Sequence, residues 1–370
     1  MELGIIGLPK SGKTIIFNAL TRGKAEAIIP AKGEAQFNIG IAKVEDSRVK
    51  ALEGIWKPKK TTPAEIKYLD VALMPAGFGK GEGFSGVVLN QLRQADALVH
   101  VVRAFKDDSI PHILGSVDPM RDIANMNLEL AFCDLAIIEK RIQKIKDSLK
   151  GARASEREQY FKEEALLVRI KEDLEKERPG WEPTFSAEEK KYLENYQFLT
   201  AKPSLIVLNA GEEDISAPER ASRLEKEAEK FYGGSAVKVL ALCGKLEKEL
   251  QELGEEDARE FRASLNLGPE SGLKRLTLVS YELLGFISFF TVGADEVKAW
   301  TIRQGTLAVK AAGKVHSDIE KGFIRAEVIG YEDFMACGSM PEAKKKGLLR
   351  LEGKNYLVRD GDIINFLFNI

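Results

Sequence analysis

Near the start of the chain, Gly7-Leu8-Pro9-Lys10-Ser11-Gly12-Lys13-Thr14 has the residue types and spacing needed to grip a row of phosphates. Gly7 and Gly12 let the backbone turn its amides toward phosphate oxygens. Lys13 reaches the terminal phosphates, and Thr14 offers a hydroxyl to Mg²⁺. Such a loop needs a strand before it and a helix after it, whose positive end completes the anion site. Residues 3–6, LGII, are an apolar run suited to a buried strand. The KTIIFNALTRG that follows Gly12 has apolar residues at helical spacing and stops at Gly23. In that context the segment reads as a P-loop.

A P-loop nucleotide site also needs an acidic residue at the end of a neighbouring strand, and Asp70, closing EIKYLD, is the candidate Mg²⁺ partner beside Thr14. Base choice falls to the loop after SLIVLNA, which carries Asn209-Ala210-Gly211-Glu212. GTPases place Asn-x-x-Asp there, the aspartate accepting both N1–H and the exocyclic amine of guanine. The longer Glu212 cannot occupy the same place, and adenine has no such amine to read. Strict guanine specificity is therefore weakened and ATP becomes the candidate. The next strand ends in LALCGKLE, so Cys243-Gly244-Lys245 is placed to close over the base through backbone amides. Cys243 has two readings, a redox role beside the base or a buried inert thiol.

The elements that must position these residues follow from pattern. Residues 65–73, 97–105, 204–210 and 236–242 are continuous apolar stretches separated by helical patterns, which predicts a mainly parallel α/β sheet covered on both faces. Between about 120 and 200 the chain turns charged, with Leu and Ile at three- and four-residue spacing. Two long amphipathic helices are expected, either as an inserted antiparallel arm or as a surface pair that thickens the fold. From about 279, short strands and an Asp360-Gly361 turn predict a compact α+β unit. The expected division is 1–120 and 199–278 for the α/β body, 121–198 for the helical insertion and 279–370 for the C-terminal part.

Composition narrows the function classes. The net charge of −2 excludes a generally basic nucleic-acid binder, so any RNA contact needs a local patch. Lys344, Lys345, Lys346 and Arg350 form one such group, readable also as a solvated face. Three cysteines without a CxxC pair, and the scattered His100, His112 and His316, argue for a reducing compartment and against a disulfide framework or zinc site. No stretch has the length of a membrane span, and Glu2 followed directly by a strand does not read as a signal peptide. The expected location is cytoplasmic.

Several further segments occur in a fixed order: GKGEG at 79–83, QADALVHVVRAFKDD, GSVDPMRDI, EKRI, the Asn-x-x-Glu loop, SFFTVGADEVKAWTIRQGTLAVKAAGKVHSDIEKGFIRAEVI, and LEGKNYLVRDGDIINFLFN. Together they make the whole chain resemble the YchF group of Obg-like P-loop ATPases. The resemblance implies a G domain interrupted by a helical coiled-coil arm, then a C-terminal TGS domain of β-grasp type. It also implies ATP in preference to GTP, and association with ribosomes, RNA or translation-linked regulation. By position it assigns phosphate contacts to Pro9, Lys10, Ser11, Gly12, Lys13 and Thr14, and Mg²⁺ to Thr14 and Asp70. Asn209 and Glu212 fall at the base, with Cys243, Gly244 and Lys245 beside it. His316, Asp318, Lys321, Phe323 and Arg325 match the group's H-x-D-x-x-K-G-F-I-R segment, where the histidine reads as a structural hydrogen-bonder.

Three positions depart from that group. Its switch I threonine aligns with Glu34, and residues 22–60 contain no threonine. A carboxylate there would repel the γ-phosphate. Its Asp-x-x-Gly becomes Asp70-Val71-Ala72-Leu73, which keeps the N–H but loses glycine's freedom. Met74 follows, apolar as in the group. Lys10 replaces an asparagine that helps hold K⁺ in cation-activated relatives, so its ammonium either stands in for that ion or faces solvent. The expectation is a slow ATPase that acts as a translation-associated regulator, with a hydrolysis-impaired interaction scaffold as the alternative.

Overall fold

The computed structural model describes residues 1–28, 37–73, 78–79, 81–176, 185–193, 195–268 and 270–369. It divides into two units, one of residues 1–41 with 67–276 and one of residues 42–66 with 277–370.

In the first unit the strands are β1 (Glu2–Ile6), β2 (Ala25–Ile28), β3 (Phe37–Lys43), β5 (Glu65–Val71), β6 (Ala97–Arg103), β7 (Ser204–Asn209) and β8 (Val237–Leu242), while β4 (Lys60–Thr62) belongs to the second. They form one sheet in the order β2-β3-β5-β1-β6-β7-β8. β1 runs parallel to β5 and β6, and β6, β7 and β8 continue in parallel. β6 shows why: all seven of its residues are buried, so it carries no polar face to expose. Even His100 is enclosed there, and burial drives its imidazole down to a pKa of about 3. It is a neutral core residue. With β1 between β5 and β6, the loop that leaves β1 opens at the C-terminal ends of the strands, where α/β sheets bind ligands.

The helix Pro119–Leu149 spans 31 residues, begins with Pro119 in its first turn and is capped by Asp118, whose side chain accepts the Arg121 N–H. The helix Ala154–Glu175 returns alongside it. Ile138 and Ile145 of the first helix meet Leu166, Leu167, Ile170 and Leu174 of the second. Each such buried side chain contributes about 1.5–3 kcal/mol. Arg141 adds an ion pair to Glu163 at 2.8 Å, and the Tyr196 hydroxyl donates to the same carboxylate. Residues Met126, Leu130 and Cys133 of the long helix lie instead in the core with Ile6, Leu69, Val71 and Leu98. The long helix is therefore rooted in the α/β core, and its later turns pair with the returning helix. Among the described residues no helix is long and apolar enough to cross a membrane.

The second unit has β9 (Phe286–Val292), β10 (Glu296–Arg303), β11 (Phe323–Gly330), β12 (Arg350–Glu352) and β13 (Asp362–Phe368), ordered with β4 as β12-β11-β13-β9-β10-β4. Ala308, Ala311 and Ala312 form the small-residue stripe of a helix that packs on Phe289, Ile302 and Phe366. Residues 42–66 group here: β4 pairs with β10, Arg48 bridges Asp46 and Asp360 at 2.7 Å each, and Trp56 stacks on Phe334. Of NYLVRDGDIINFLFN, only residues 362–368 form a strand.

Candidate nucleotide site

The loop between β1 and the helix Lys13–Thr21 is shaped by close approach. A Cβ on Gly7 would lie 2.4 Å from the Val101 carbonyl oxygen. Gly12 has φ +86°, and a Cβ there would fall 2.1 Å from Asn209 Nδ2. Only glycine satisfies both positions. Lys10 also lies in the left-handed region at φ +66°, and its Nζ donates to the Pro111 carbonyl at 3.3 Å. Its charge points to the loop after β6.

Three groups converge at the loop mouth. Lys13 Nζ lies 2.5 Å from Asp70 Oδ1, and Thr14 Oγ1 lies 3.4 Å from Asp70 Oδ2. Asp70, only 5% exposed, is held on β5 opposite Ile5 of β1. A hydroxyl and a carboxylate are the hard oxygens that suit Mg²⁺. Among the described residues no cluster of three or more His, Cys, Asp or Glu could hold a metal alone, so a cation bound here would draw its other ligands from phosphate and water.

Asn209, the last residue of β7 and 4% exposed, ties three loops together. Its Nδ2 donates to the Ser11 carbonyl at 2.8 Å, and its Oδ1 accepts the Gly244 N–H at 2.9 Å. Its backbone carbonyl accepts the N–H groups of Ala104 and Phe105. Both ends of the amide are engaged within the protein, so Asn209 fixes the floor of the site. Glu212 is exposed in the first turn of the short helix Glu212–Ile215. Gly244 is buried and begins the helix Gly244–Glu252, while the Lys245 side chain is exposed.

Cys243 is buried, and burial lifts its thiol pKa, with the nearby carboxylates of Glu212 and Glu247 adding to the effect. Cys133 is pushed up to about 12 by burial and by Glu129 and Asp134. Each unit of elevation removes tenfold of the thiolate at a given pH below the pKa. Iodoacetamide at pH 8 should therefore modify Cys133 and Cys243 more slowly than Cys337, which is only half-buried. Peptide mapping over time measures the order, and rapid modification of Cys243 would favour its redox reading.

Two neighbours were not singled out from sequence. Phe105 Cε1 is 3.9 Å from where a Gly12 Cβ would sit, and the Arg103 guanidinium lies 4.4 Å from the Phe105 ring centroid. Arg103 is buried and donates to the carbonyls of Phe105 and Asp107, fixing the turn. The available signal was an Arg-x-Phe beginning at the last residue of a wholly buried strand. Leu73 is buried with Phe84 and Val88, so packing occupies the side chain that replaces the group's glycine. Glu34 and Met74 lie outside the described residues. In the second unit, His316 Nδ1 accepts the Asp318 N–H at 3.2 Å and caps a short helix, while Lys345 pairs with Glu342 and Arg350 with Tyr356.

Over all 370 residues, and over the full length of both chains, the sequence is 41% identical to the ribosome-binding ATPase YchF of Bacillus subtilis. The chain belongs to the YchF family. The YchF of Haemophilus influenzae, also called a ribosome-binding ATPase, is 38% identical over 369 residues, covering 100% of this chain and 99% of the relative. The solved structure of the Schizosaccharomyces pombe YchF GTPase superposes with a TM-score of 0.83 at 29% identity, covering 99% of this chain and 97% of that one. The family model YchF-GTPase_C, described as a protein of unknown function (DUF933), matches residues 286–369. YchF relatives are thus named both ATPase and GTPase, so base preference in this member has to be argued from its own residues.

Proposed function

We propose that this YchF-family chain binds Mg²⁺·ATP, hydrolyses it slowly, and uses its nucleotide state to regulate an encounter with the ribosome in the cytoplasm. One observation carries the proposal: Lys13, Thr14 and Asp70 meet at the mouth of a glycine-shaped loop, in a chain collinear with ribosome-binding ATPases. The backbone N–H groups of Lys10, Ser11 and Gly12 face the phosphates, and Pro9, which has no N–H to give, borders them by shaping the turn. Lys13 exchanges Asp70 for the β and γ phosphates, and Asp70 and Thr14 are then free to hold Mg²⁺, which supplies charge neutralisation. Asn209 holds the loops in place, and Glu212, Cys243, Gly244 and Lys245 border the base, with Phe105 as an apolar wall.

Slow turnover follows from what the switch residues lack. Phosphoryl transfer depends on positioning and charge stabilisation, and Leu73 is committed to the core. That commitment also supports the second reading, a scaffold that binds nucleotide without cutting it. Turnover above about 10 s⁻¹, the ordinary enzyme median, would contradict slow hydrolysis. Sedimentation with purified ribosomes tests the partner. Association that differs between ATP-analogue and nucleotide-free protein is expected, and none in either state would refute it.

Glu212→Asp tests base choice. Shortening the carboxylate restores the guanine-reading geometry, so the ATP-to-GTP affinity ratio should fall by about tenfold, equivalent to about 1.4 kcal/mol. Competitive titration of fluorescent analogues measures it, and an unchanged ratio would remove Glu212 from base recognition.

A further inference from the structure

The GKGEG segment has no part in the nucleotide contacts, yet its alternating glycines have a shared partner. The N–H groups of Gly79, Gly81 and Gly83 all donate to the carboxylate of Glu129, at 2.7, 3.3 and 2.7 Å. Glu129 is fully buried on the helix Pro119–Leu149. Backbone amides that converge on one point make an anion-binding concavity, and here the anion is the protein's own carboxylate. Glycine is needed for the approach: Gly81 has φ +76°, and a Cβ on Gly83 would lie 2.8 Å from Glu129 Oε1. Cys133, one turn further along the helix, directs Sγ at the Gly81 carbonyl at 3.7 Å.

The same helix holds the arm's exit. Asp134, also fully buried, accepts the N–H groups of Leu199 and Thr200 at 3.1 and 2.9 Å and the Thr200 hydroxyl at 2.9 Å. Adjacent turns of one helix thus pin the segment downstream of Asp70 and the strand entry after the arm. Beyond them the helix continues into the arm through Ile138 and Ile145.

We propose that Glu129 is a positioning residue that couples the glycine segment downstream of Asp70 to the arm, so that a nucleotide-driven shift of Gly79, Gly81 and Gly83 moves the root of the helix Pro119–Leu149. The proposal rests on the ATP reading above. A rigid helix with two anchors at its base transmits a displacement of either anchor to its far end, and the buried charge–dipole contacts are too costly to break separately. Glu129 touches no nucleotide group and acts through the glycine segment alone.

Amide hydrogen exchange on the full chain, with and without Mg²⁺ and a non-hydrolysable ATP analogue, tests the coupling. In the wild type, the analogue should change exchange at least threefold both in residues 78–84 and in the arm. Glu129→Gln keeps the size and one acceptor oxygen but turns an NH₂ toward a glycine N–H. This variant should bind the analogue within threefold of wild type and lose the arm's response, with kcat reduced about tenfold and KM unchanged. A merely structural role would lower stability without separating the arm's response from binding. If Glu129→Gln does not fold, Gly83→Ala disturbs the same contact from the other side and should give the same split. An arm response retained in the variant overturns the coupling, as does a wild type that binds the analogue without any arm response. Failure of the wild type to bind overturns the ATP reading, and the coupling with it.

Discussion

Replacing Lys13 with alanine should abolish useful nucleotide binding and, less obviously, weaken the nucleotide-free protein. In the proposed mode of binding Lys13 supplies charge-assisted contacts to the phosphates, so affinity for an ATP analogue should fall by about 100-fold or more, about 2.7 kcal/mol. Without nucleotide, the same ammonium is the 2.5 Å partner of Asp70, a carboxylate only 5% exposed. Removing one member of a buried pair typically costs about 3–5 kcal/mol, because the other charge is left without its partner. The Lys13 side chain is 13% exposed, so water reaches the pair and the lower end of that range is expected. Asp70→Asn in the Lys13→Ala background should recover part of the stability and none of the binding. Urea denaturation and analogue titration on the two variants separate these effects. Stability unchanged in Lys13→Ala would mean that the ion pair is absent from the nucleotide-free protein.

Asn209→Ala should be comparably damaging although the residue spends its polar atoms inside the protein. It removes two buried hydrogen bonds and leaves the Ser11 carbonyl and the Gly244 N–H unsatisfied. At about 1–3 kcal/mol for each of the two orphaned groups, a stability loss of about 2–6 kcal/mol is expected. Nucleotide affinity should fall at least tenfold, because the phosphate loop and the loop at Cys243 are no longer held to a common point. Asn209→Asp is the sharper probe. It can accept from Gly244 but cannot donate to Ser11, where its charge would face a carbonyl oxygen. It should be no more stable than alanine despite its near-identical shape. Thermal unfolding and titration together give the answer, and a stable Asn209→Asp with wild-type affinity would deny Asn209 its bridging role.

How far the sequence was readable depended on whether the information was local. The parallel strands β1, β5, β6, β7 and β8 announced themselves as short, mostly apolar stretches, because most of their residues are buried. The phosphate loop was equally plain, since a strand, two spaced glycines and Lys-Thr carry their geometry within a few residues. Other features needed distant partners. β4 and β12 have three residues each and no apolar run, and residues 42–66 group with the C-terminal unit only through pairings such as Lys60 with Glu296. Glu129 resembles any other carboxylate on a charged helix until Gly79, 50 positions earlier, is seen donating to it. Leu73 read as a lost glycine. In the fold it is a gained core contact, which no local pattern reveals.

The measurement that bears most directly on the central claim is calorimetric titration of the purified protein with non-hydrolysable ATP and GTP analogues in the presence of Mg²⁺. The ATP analogue should bind at least about tenfold more tightly, a difference of about 1.4 kcal/mol arising at Glu212 and its surroundings. Equal affinities, tighter binding of the GTP analogue, or no binding of either would contradict the claim.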